Sequence, residues 1–159
     1  MAQQDFFNIN PDVPTDKTQE TLDDKFTRER KEWGEKITKM NKLMKGMGPL
    51  SELMLEVYTE RQICVDYHHY LISKIIVVNK KYKIKYDERW NFWTFQSQIK
   101  YPNNNALANK INTELGDIVE TRELLDNHIK FIEKTTGTID NLIYAIPKRI
   151  EIEQITRGK

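Results

Sequence analysis

From Leu50 to Tyr101 the chain contains neither glycine nor proline. This run constrains the fold more than any other feature, because those two residues are the usual terminators of a helix. Within it, Leu50, Met54, Val57, Arg61, Cys64, His68, Leu71, Ile75, Val78, Tyr82 and Tyr86 recur mostly at steps of four and three. That spacing lays a narrow apolar seam along one helix, in heptad-like phase. A helix over 50–100 would reach roughly 70 Å at 1.5 Å per residue. Arg61 and His68 interrupt the seam, and polar residues at such positions set register or face a partner. The β-branched stretch KIIVVNKKYKIKY alternates like a strand from Tyr82 to Tyr86. The helical phase enters and leaves it unbroken, so a helix is expected there too.

Two shorter patterns flank the run. Leu22, Phe26, Trp33, Ile37, Met40 and Met44 form an amphipathic stripe, with Thr18 or Thr21 as the N-cap and Asp23 and Asp24 favouring the dipole. GMGP at 46–49 ends that helix, predicted over 18–45. PNNN at 102–105 ends the long run, and Asn104 or Asn105 caps the next helix. Ile111, Leu115, Ile118, Arg122, Leu125, Ile129, Ile132, Thr136, Ile139, Ile143 and Ile146 then repeat at four and three. A helix over 104–146 is expected, bent at Gly116 or TTGT and kinked or ended by Pro147, with a short helix over 148–156. Residues 1–16, with Pro11, Pro14 and scattered acids, read as a disordered acidic arm. The prediction is therefore all-α: one helical domain over 17–159, an elongated, coiled-coil-like hairpin of three long helices. Such helices leave apolar seam to spare, so self-association as a homo-oligomer is expected.

Charge and cysteine content narrow the function classes. Net charge is only +1, so the chain as a whole is not a basic nucleic-acid binder. The distribution is uneven. Residues 1–24 carry six acids against Lys17 alone, whereas 80–100 carry six bases against Asp87 and Glu88. An acidic arm and a basic waist imply either self-shielding or a local polyanion site. Cys64 is the single cysteine, which rules out an intramolecular disulfide and fits a reducing compartment. The first ten residues lack the basic and apolar regions of a signal peptide, and no apolar run is long enough to span a membrane. No phosphate loop and no catalytic constellation occurs, so neither an enzyme nor a cofactor is expected. His68 and His69 are adjacent and diverge on a helix, a poor metal pair. His128 reads as structural, and Cys64 one turn before His68 reads as packing rather than a thiolate–imidazole couple.

The stretch KKYKIKYDERWNFWTFQ at 80–96 holds the chemistry. On a helix, Tyr82, Tyr86, Trp90 and Trp93 form one line at steps of four, four and three. Lys81, Lys85 and Arg89 form a second line beside it, widened by Lys80 and Lys83, and Phe92 and Phe95 extend the aromatic surface. Cations that track phosphates beside rings that stack on bases are what single-stranded nucleic acid requires. The competing reading is a buried aromatic seam with lysines snorkelling at its edge. Tyr82 and Tyr86 continue the seam from Val78 and are expected to pack. The expected nucleic-acid contacts are Lys80, Lys81, Lys83, Lys85 and Arg89 to phosphates and some of Tyr82, Tyr86, Trp90 and Trp93 to bases, with Trp90 and Trp93 as the main stacking candidates.

The segment NKKYKIKYDERWNFWT at 79–94, the ending KRIEIEQITRGK at 148–159 and the isoleucine-rich LLDNHIKFIEKTTGTIDNLIYAI before it resemble the UvsY-like phage recombination mediators. The resemblance spans about the last hundred residues. The basic segment here leads into TFQSQIKYPNNN rather than a glycine-rich turn, and the arm and first helix have no clear counterpart. Membership would imply a small helical homo-oligomer that binds single-stranded DNA. Such a protein loads a recombinase onto strands covered by single-strand-binding protein, in the host cytoplasm. The acidic arm would then be available to contact either protein. The alternative is a non-enzymatic structural or assembly protein, such as a phage virion component or adaptor, with the waist buried in a protein interface, since Tyr, Trp and Arg also anchor interfaces.

Overall fold

A computed structural model describes residues 20–46 and 49–157. Among them every regular element is helical: α1 (Leu22–Lys45), α2 (Leu50–Asn91), a π-helical turn (Phe92–Gln96), α3 (Asn104–Glu114) and α4 (Gly116–Arg157). The expected acidic arm lies outside the described residues, as do Thr18 and the centre of the GMGP break.

Thr21 is the N-cap of α1, its hydroxyl accepting from the Asp24 amide at 3.1 Å. The expected stripe is the one buried, with Phe26, Trp33 and Met40 at its centre. The two long helices α2 and α4 form the spine and pack along most of their length. They run antiparallel, since Arg61 meets Asp140, His68 meets Glu133 and Tyr82 meets Arg122. Arg61 and His68, the polar breaks in the seam, thus face a partner helix of the same chain. On α2 the buried residues are Leu50, Leu53, Val57, Cys64, Leu71 and Val78, in heptad phase. They pack into one core with residues of α1 and α4, and burial of one such apolar side chain contributes about 1.5–3 kcal/mol.

α1 covers only the lower half of this spine. It meets α2 through Lys36–Glu60 and Lys39–Glu56, and α4 through Phe26 stacked on His128 at 4.0 Å. α4 therefore buries a wider face than its four-and-three pattern implies. Leu142, His128 and Thr135 join Leu125, Ile129, Ile132, Ile139 and Ile146 in the interior. At the upper end α3 takes over, and Leu107, Ile111 and Leu115 form a second core with Tyr82, Tyr86, Trp90, Trp93 and Tyr101. Ile118 touches both cores.

Three helix boundaries differ from expectation. α2 stops short of residue 100, in the π-turn, although no glycine or proline intervenes. The Ser97 amide donates to the Phe92 carbonyl at 2.9 Å, and Lys100 Nζ donates to the Thr94 carbonyl. These bonds satisfy carbonyls that the helix end would orphan. The reversal lets Tyr101 pack edge-on against Trp93 at 5.5 Å, a contact a straight helix could not make. The expected helix from residue 104 breaks at Leu115, one position before Gly116, with φ −98° and ψ 21°. Pro147 does not end α4, which runs on to Arg157 without a separate terminal helix. A mid-helix proline costs about 3 kcal/mol. Here Ile146 and Ile150 flanking it pack into the main core, and Arg149 donates to the Lys45 and Gly46 carbonyls at the end of α1.

Candidate nucleic-acid interface

At the upper end of α2 the basic residues and the rings separate onto different sides. Tyr82, Tyr86, Trp90 and Trp93 are half-buried against α3. Two of them are also held by polar contacts. Tyr82 Oη donates to Asn112 Oδ1 at 2.6 Å, the Arg122 guanidinium lies 4.4 Å above its ring, and Trp93 Nε1 donates to Glu114 at 3.3 Å. Burial raises the Tyr86 hydroxyl pKa, helped by Tyr82 and Asp87. The rings are held in place by α3, so the expected packing of Tyr82 and Tyr86 extends to much of Trp90 and Trp93.

Lys80, Lys81, Lys83 and Lys85 are all exposed. Lys85 pairs with Glu88 at 2.8 Å, and among the described residues no ion pair holds Lys80, Lys81 or Lys83. At about 100° per residue the lysines straddle the helix, Lys81 and Lys85 on one flank and Lys80 and Lys83 on the other, with exposed Ile84 between them. Arg89 is set apart. It lies 3.7 Å from Glu114, a carboxylate also paired with Lys110 at 3.3 Å, and so belongs to the α2–α3 contact.

The rings that remain accessible are in the π-turn. Phe95 is 78% exposed and Phe92 39%, followed by Ile99 at 60%. Phe92 continues the Lys81–Lys85 flank at four- and three-residue steps, which places an accessible ring at the end of a cationic line. Local spacing marks Phe92 and Phe95 only as extensions of the aromatic surface. What separates them from Trp90 and Trp93 is the position of α3, which no local pattern in 80–96 reports.

The other titratable groups assemble into structure. Cys64 is fully buried, and burial, opposed by a hydrogen bond with Thr136, pushes its thiol up to about 11, so a thiolate is scarce near neutrality. His68 bonds Glu133 at 3.2 Å rather than the cysteine. His128 is buried, with Nε2 2.9 Å from Glu29, which also accepts from Tyr67 Oη at 2.6 Å. Burial pushes the Glu29 carboxyl up, but the bonds from His128 and Tyr67 and the charge of Lys25 outweigh it, leaving its pKa below 4.5. Burial and the adjoining Glu29 raise the Tyr67 hydroxyl. Among the described residues no cluster of ligating side chains could hold a metal ion, and no helix is long and apolar enough to cross a membrane. Comparison with protein families, with curated proteins and with solved structures finds no match to this chain.

Proposed function

We propose that this protein binds single-stranded DNA along the exposed face of α2, as a recombination mediator of the UvsY-like kind that helps load a recombinase. One observation carries the reading. Four exposed lysines, three of them without an acidic partner among the described residues, run toward the accessible rings of Phe92 and Phe95. Phosphates would follow Lys81 and Lys85, with Lys80 and Lys83 on the far flank, and bases would stack at the π-turn. Several copies acting together would convert a modest grip per chain into a firm one, which is why the reading includes a homo-oligomer.

The test is fluorescence anisotropy with labelled oligo-dT across a salt series. Binding that weakens steeply with salt and is lost in Lys81→Ala/Lys83→Ala/Lys85→Ala supports the proposal. No binding at low salt sinks it. A structural or assembly role is favoured by a different observation, the exposure of Ile76, Val77 and Ile84 among the same lysines. That role predicts a stable protein complex unaffected by oligo-dT.

A further inference from the structure

The aromatic line of α2 lies under α3. Tyr82, Tyr86 and Trp90 form a column with ring centroids 5.7 and 6.0 Å apart, and Trp93 follows in the π-turn. Leu107, Ile111 and Leu115 pack against these four rings. A column of rings beside a basic line is a stacking surface for bases, and here a helix of the same chain occupies it.

α3 is built as a separable piece. It has 11 residues, and both its joints are non-helical. Residues 97–103 before it form no regular structure. After it, Leu115 leaves the helix at φ −98° and ψ 21°. The Leu115 amide closes α3 by donating to the Ile111 carbonyl at 3.0 Å, whereas the Leu115 carbonyl opens α4 by accepting from Ile118 and Val119. Rotation about this one residue therefore turns α3 without unwinding either helix. Gly116 follows and adds freedom to the joint.

The fastening is polar and lies at the edge of the apolar contact. Glu114 receives the Trp93 indole N–H at 3.3 Å, with Lys110 at 3.3 Å and Arg89 at 3.7 Å, and Tyr82 Oη donates to Asn112. Exposed ion pairs of this kind are weak. One carboxylate thus holds an indole N–H and two cations where the Lys81–Lys85–Arg89 line ends, which is the place a backbone phosphate would take. We propose that α3 is a lid over the Tyr82–Trp93 rings, latched by Glu114, and that single-stranded DNA displaces it. Its ligand rests on the strand-binding reading above. A phosphate at Arg89 replaces Glu114, and bases take the ring faces that Leu107 and Ile111 give up. Phe92 and Phe95 are then the point of first contact, and the covered rings extend the site.

Two measurements test the lid. On the free chain, hydroxyl-radical footprinting read by mass spectrometry follows Trp90 and Trp93 separately. Tyr82→Phe/Glu114→Gln removes the latch and keeps every ring. Modification of Trp90 and Trp93 is expected to rise about threefold, the scale of a weak exposed pair, with buried Trp33 unchanged. Unchanged modification overturns the lid, and so does a rise that Trp33 shares, which reports general loosening. With saturating oligo-dT, amide exchange over 104–115 is expected to speed up while Trp90 and Trp93 become protected. Binding that leaves α3 exchange unchanged or slower overturns displacement and leaves the strand-binding reading intact. Tyr82→Phe alone, which changes no charge, should also bind oligo-dT more tightly than the parent chain, and equal affinity counts against the latch. If no chain binds oligo-dT, the strand-binding reading and the ligand assigned to the lid both fall, and the footprint still decides whether α3 is latched over the rings.

Discussion

Phe95 is the residue at which stability and ligand binding are easiest to separate. Its ring is 78% exposed, so removing it leaves no cavity. Phe95→Ala is expected to leave the melting temperature within error and to weaken oligo-dT binding by about 1–3 kcal/mol, the worth of one stacked base. Anisotropy and a thermal melt on one preparation check both halves. Glu29 gives the opposite case, a carboxylate whose effect is on folding. Its folded pKa is depressed below 4.5, so its stabilising contribution is complete above 4.5 and is lost as pH falls through the folded value. Glu29→Gln should be less stable near neutrality. It should lose less further stability than the parent between about pH 5 and about pH 3, as read by circular dichroism. An identical acid dependence in both chains would remove Glu29 from the account.

Among the elements, α4 carries the least expected feature. Pro147 leaves the Ile143 carbonyl without its helical donor, yet the helix continues. Pro147→Ala should restore that bond and raise stability by up to about 3 kcal/mol in a urea titration. A fall would mean that the proline sets a bend on which the packing of Ile150 depends. The helices themselves were legible because their seams repeat. Leu50 through Val78 and Leu125 through Ile146 are buried much as spacing implies. Their ends were not legible, since packing sets them. The π-turn forms because Tyr101 reaches back to Trp93, and α4 outlasts its proline because Arg149 and Ile150 are anchored elsewhere. The partners of Arg61 and His68 were equally hidden, since Asp140 and Glu133 lie on another helix. In the candidate site, the lysine positions followed from periodicity. Which rings stay accessible depended on α3, whose contact with Tyr82 through Asn112 spans thirty residues.

For the whole molecule, the exposed apolar residues of α2, from Leu55 through Ile63 and Val77 to Ile84, exceed what a lone hairpin needs. Mass photometry is expected to show a homo-oligomer, and a monomer at micromolar concentration would count against the mediator reading. The two cores divide the molecule in another way. The lower one draws on α1, α2 and α4, whereas among the described residues the upper one has Leu107, Ile111 and Leu115 buried and is closed by a short helix. Ile111→Ala should therefore remove about 2–5 kcal/mol from the upper core alone. Hydrogen exchange would then rise in α3 and the π-turn but not around Val57 or Ile139. Since both cores share the same two rods and the upper one is smaller, the upper end is expected to be a unit of lower local stability on a more stable base. It could open and reclose many times while the rest of the molecule keeps its protons.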